Sequence, residues 1–167
     1  ELGYAHGNIC ELVFRQSGNA ARALPQCRKA SQLMRQALVK HPDDPKIILA
    51  LANRLGWQAD AELSQGFPDK AIALRVEESV LLDQLLKLEP ENSTYQERRI
   101  WPNVGKAKAL LAKGVHEDAV NLLEAALADY DRIARLRPDD TVVTEQRMRV
   151  TWMIAKAKMD TRSPEAP

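Results

Sequence analysis

The chain has 167 residues, 45% of them apolar and 28% charged, with 24 basic and 23 acidic groups for a formal charge of +1. That balance fits one globular domain with a sizeable core. It argues against a broad nucleic-acid footprint, which needs clustered positive charge. Aromatics at 5% and only 7 glycines argue against turn-rich sheet folds. No apolar run reaches the roughly 18 residues that span a bilayer, so direct membrane insertion is not expected.

In chain order the segment "ELGYAHGN" opens inside a helical pattern. It reads as the interior of a first helix, and so as the start of a fragment. A missing leader peptide therefore carries no weight. Gly18 stops this helix, and a second follows through "ARALPQCRKA", with Pro25 inside it. The words "VKHPDD", "KLEPEN" and "RLRPDD" then punctuate the chain at Pro42, Pro90 and Pro138. A helix is expected over 46–65, begun by the Asp43-Asp44-Pro45 cap. Gly66 ends it in the left-handed conformation, and Pro68-Asp69 opens the next helix. That helix carries an apolar stripe through Ile72, Val76, Leu82 and Leu86 until Pro90 stops it. Further helices are expected over 93–113, 117–137 and 142–160, and disorder over 161–167. Pro102 lies inside the first of these, where it would kink the helix or mark a later start.

The prolines are 48 residues apart (90 − 42 and 138 − 90). Gly18, Gly66 and Gly114 share that spacing, as do Ala23, Ala71 and Ala119, and Ala59, Ala107 and Ala155. A fixed period of this size marks stacked helical units. The fold class expected is therefore all-α: an α-solenoid of about seven long helices in three and a half repeats, over 1–42, 43–90, 91–138 and 139–160.

The Gly–x4–Ala steps "GFPDKA" and "GVHEDA", with "LEPEN" downstream, resemble the tetratricopeptide repeat. Ala59, Ala107 and Ala155 match the small position of that family's first helix, and Ala23, Ala71 and Ala119 that of its second. The departure is length, since 48 is 34 + 14, with about seven extra residues in each helix. Seven residues are nearly two turns, so the apolar face keeps its direction. The resemblance implies a right-handed solenoid of antiparallel helix pairs. It is closest to long-helix repeats appended to multidomain bacterial signalling proteins, which implies an interaction or sensory arm.

The family's first helices line a peptide-binding groove. Carried over column by column, the resemblance places Asn53, Trp101 and Arg149 in one column and Trp57 in another. Asp60, Lys108 and Lys156 share a column, and Trp152 falls beside Gly56 and Val104. All three tryptophans land on this face, either as groove anchors or as filler between neighbouring helices. The family's carboxylate-clamping subtype uses paired Lys and Asn at these columns, which Gly56 and Val104 do not fit.

The sequence shows no catalytic constellation, phosphate loop or metal-ligand spacing, so no enzyme activity, cofactor or metal is expected. His116 in "HED" reads as a helix start, and the acidic pairs Glu77-Glu78 and Asp139-Asp140 read as solvated faces and caps. Cys10 and Cys27 flank Gly18 nearly symmetrically, so an antiparallel pair can oppose them in a disulfide. As small buried apolar residues they would instead be free thiols, the reading favoured here.

The leading expectation is a scaffold that binds a protein or peptide, without nucleic acid. A second is self-association through the last helix, with Val142, Val143, Met148, Trp152 and Met159 as a homodimer surface. A third is a small-molecule sensor region. A cytoplasmic location is favoured, with the periplasm as the alternative if a membrane anchor precedes the fragment.

Overall fold

A computed structural model describes residues 1–160 and is all-helical there, with no strand among the described residues. The expected tail, 161–167, lies outside the described residues. The helices are α1 (Leu2–Ser17), α2 (Ala20–Lys40), α3 (Pro45–Ser64), α4 (Pro68–Leu88), α5 (Ser93–Arg98), α6 (Trp101–Ala112), α7 (His116–Leu136) and α8 (Thr141–Asp160).

The expected punctuation sets the ends. Gly18, Gly66 and Gly114 all take positive φ, at 61°, 79° and 75°, the conformation that lets a helix stop without a Cβ clash. Asp44 accepts from the Lys46 N–H at 2.8 Å, and Asn92 from the Thr94 N–H at 3.1 Å. Asp140 accepts from the Val143 N–H at 3.1 Å. Each satisfies a donor that the first turn leaves orphaned. Pro25 is absorbed without interrupting α2, and its side is exposed to solvent.

One expected helix is two. The pattern over 93–113 reads as a single element, but α5 ends at Arg98 and α6 begins at Trp101. Pro102 has no N–H to return to the Arg98 carbonyl, and its ring crowds that turn. The break leaves the Arg98 guanidinium 5.1 Å from the centre of the Trp101 ring.

Each long helix packs on its chain neighbours, and α1 also touches α3, as α3 does α6. Apolar cores form among α1–α3, among α2–α4 and among α6–α8. The small positions Ala59 and Ala107 are buried, as are Ala23, Ala71 and Ala119. Ala155 is exposed, because α8 has no further helix against that side among the described residues. Ion pairs repeat with the same period. Arg99–Asp83 and Arg147–Asp131 are one period apart, joining α6's approach to α4 and α8 to α7. Arg28–Glu62 and Lys158–Glu124 occupy matching positions two periods apart, with the charges exchanged.

Candidate functional site

Three helices bring the expected groove residues together. Asn53, Trp57 and Asp60 from α3, Trp101 and Lys108 from α6, and Arg149 from α8 line one cleft of about 410 Å³. Trp152 and Lys156 line an adjoining hollow of similar volume, and Lys108 and Arg149 border both. The helical period explains the convergence. Positions 53, 57 and 60 recur at i, i+4 and i+7, which is one helix face.

The floor of the cleft is ionic. Arg75 of α4 is 6% exposed and donates to Glu78 at 2.8 Å and to Asp60 at 2.5 Å. Burial opposes its charge, but Asp60 and Glu78 outweigh that penalty and hold the guanidinium above its ordinary pKa. Burial also pushes the Glu78 carboxyl up, against the pull of Arg75. Two glycines make the room. A Cβ on Gly56 would meet Glu78 Oε1 at 3.0 Å, and one on Gly105 would meet Arg75 Nε at 2.2 Å. Arg54 lies similarly over Gly7, donates to Asn8 at 3.1 Å and leaves its buried Nε without a partner. Burial lowers the pKa of Arg54.

Lys108 is part-buried at the junction of the two hollows. Desolvation lowers its pKa, with Asp60 acting the other way. Tyr130 of α7 closes the back of the cleft, and burial, aided by Glu97, pushes its phenol up to about 12. Arg98 donates to Asn53. The cleft lining holds six Arg or Lys side chains against three carboxylates.

The tryptophans divide. Trp57 is half-buried, edge-on to Phe14 at 6.2 Å and beneath the Arg15 guanidinium at 5.6 Å. Trp101 is 39% exposed and Trp152 is 63% exposed. The last two present ring surface to the groove, while Trp57 combines packing with lining. Asp60 and Asn53 are already engaged by Arg75 and Arg98, and Lys156 pairs with Asp160 at 3.0 Å.

Sequence reasoning missed Arg54, Arg75, Arg98 and Tyr130, and it takes Glu78 for part of a solvated face, whereas Glu78 is 3% exposed because it pairs with Arg75. The repeat itself carries a signal for two of them. Arg75 shares its column with Cys27 and Leu123, and Glu78 with Ala30 and Ala126. All four of those neighbours are buried apolar residues. A charged pair three residues apart in two core columns marks a buried polar centre.

Two expectations require correction. Cys10 and Cys27 are not free thiols. Their Cα atoms are 5.0 Å apart and the sulfurs are bonded, tying α1 to α2. The expected self-association face also loses a member. Val143 is fully buried in the core of α6–α8, because its side of the first turn of α8 packs inward. Val142, Met148, Trp152 and Met159 remain exposed. His116 lines the second hollow and its buried Nδ1 has no partner. No helix among the described residues is long and apolar enough to cross a membrane.

No family model, no curated protein and no solved structure matches this chain.

Proposed function

We propose that this chain is a right-handed solenoid of antiparallel helix pairs, of the tetratricopeptide type with lengthened helices, and that it binds a protein or peptide segment without catalysing a reaction. The observation that carries this reading is the meeting of Asn53, Trp57, Asp60, Trp101, Lys108 and Arg149 in one cleft, from three helices spaced by the repeat. Trp and Arg are enriched in interface hot spots, and here the exposed Trp101 lies beside Arg98. The half-open hollows suit side chains of an extended segment better than a whole folded domain. As part of a bacterial regulatory protein it would serve as the interaction arm. The Cys10–Cys27 bridge supports an oxidising compartment, the periplasm rather than the cytoplasm.

Self-association is the second reading, favoured by the exposed stripe of Met148, Trp152, Ala155 and Met159 on α8. Light scattering over a range of concentrations separates the two, since a strict monomer removes the α8 reading. The test of the first is selection of short random peptides on the full chain, followed by binding to Trp101→Ala. Enriched peptides that lose affinity for the folded variant support the groove. If no peptide is enriched, the reading fails.

A further inference from the structure

We infer that the segment held in this cleft is acidic: a carboxylate side chain docks between Lys108 and Arg149, and apolar side chains on either side of it rest on Trp101 and Trp152. This rests on the peptide-binding reading and adds the chemistry of the partner.

Charge is the first reason. The chain as a whole carries a formal charge of only +1, yet the cleft gathers six cationic side chains and three carboxylates. The excess is therefore local, and a low-dielectric cleft focuses it onto whatever enters.

The state of each group is the second reason. Asp60 and Glu78 are both taken by Arg75. Arg98 is taken by Asn53 and lies against Trp101. In the adjoining hollow Lys156 and Asp160 satisfy each other. Lys108 and Arg149 are different. Neither makes a hydrogen bond or an ion pair among the described residues, and both border the two hollows. Lys108 is also part-buried and desolvated. Asp60 attracts Lys108 but is bonded to Arg75, so an arriving carboxylate would supply the direct partner that Lys108 and Arg149 both lack. Arg54 adds a buried Nε without a partner on the far wall.

Shape is the third reason. Two hollows of about 410 Å³ each, joined at Lys108 and Arg149 and flanked by exposed Trp101 and Trp152, ask for an elongated occupant. A single small carboxylate would fill neither the length nor the aromatic surface.

The test uses the full chain and peptides selected from a random phage-displayed library. The expected result is enrichment of peptides carrying Asp or Glu next to aromatic or large aliphatic residues. Synthesised versions with Glu→Gln and Asp→Asn should bind more weakly by on the order of tenfold or more. Added salt should weaken the acidic peptide more than its amide version. Arg149→Glu, a change at an exposed position, should cause a similar loss with an unchanged circular dichroism spectrum. Enrichment of neutral or basic peptides, or equal binding of acid and amide versions, overturns the inference and leaves peptide binding standing. Succinate binding as tightly as the acidic peptide also overturns it. Absence of any peptide binding overturns both.

Discussion

Arg75 lies where a side chain at position 105 would stand: a Cβ on Gly105 would be 2.2 Å from Arg75 Nε and 2.7 Å from its Cζ. Gly105→Ala should therefore displace a buried guanidinium from Asp60 and Glu78. Gly→Ala in a helix interior contributes about 1 kcal/mol of propensity, but breaking a buried charge pair costs about 3–5 kcal/mol. The net expectation is a loss of about 2–4 kcal/mol, read by urea denaturation. Adding Arg75→Met together with Glu78→Gln should recover part of it, because the alanine then meets an apolar chain and the buried carboxylate is gone, while Asp60, with its side chain 31% exposed, keeps contact with water. A neutral Gly105→Ala would show that Arg75 swings aside freely.

The bridge between Cys10 and Cys27 closes a sequence separation of 17 residues. A loop of that length is worth about 3 kcal/mol through restriction of the unfolded chain. The double variant Cys10→Ser, Cys27→Ser should lose about that much stability, and its melting temperature should no longer respond to reductant. Mass mapping of the native protein without reduction should find one linked peptide. Two free thiols would remove the bridge.

Tyr130 sets an alkaline limit. Burial raises its pKa from 10.0 to about 12. The unfolded chain loses the phenol proton near its ordinary value, while the folded chain keeps it. The stabilising difference is thus complete below the unfolded pKa and is lost as pH rises through the folded one. The loss approaches about 3 kcal/mol once both are ionised, at 1.36 kcal/mol per unit. Tyr130→Phe should move the alkaline unfolding midpoint to higher pH, followed by circular dichroism. In the wild type the last tyrosinate absorbance should appear together with unfolding. A midpoint unmoved by Tyr130→Phe would mean that another group sets the limit.

Much of the architecture was legible because turns and caps are local. Gly18, Gly66 and Gly114 announce left-handed stops, and all three adopt them. Asp44 and Asp140 announce helix starts, and their carboxylates accept the expected backbone donors. The split at Arg98 was harder, because a proline in a periodic segment permits either a kink or a break. The side chains now at Trp101 and Arg98 decide that only in three dimensions. Of the groove residues transferred from the repeat, Asn53, Trp57, Asp60, Trp101, Lys108 and Arg149 line the cleft, and Trp152 and Lys156 line the hollow beside it, since the period conserves direction around each helix. The ionic floor was not read, because Arg75 and Glu78 come from a second helix of their unit, and the transferred columns cover only first helices. Val143 failed for a related reason. An apolar residue at a helix start can face either way, and its neighbour Val142 is the exposed one.

The most direct test of peptide binding in this cleft is a nuclear magnetic resonance titration that follows the indole N–H signals. The chain has 3 tryptophans, so each signal reports on one place. Addition of a selected peptide should shift the Trp101 and Trp152 signals in proportion to occupancy, and Trp101→Ala should weaken binding without lowering the melting temperature. A peptide that binds while leaving both signals in place would contradict the account, as would a Trp101→Ala protein that melts much earlier and binds as well as before.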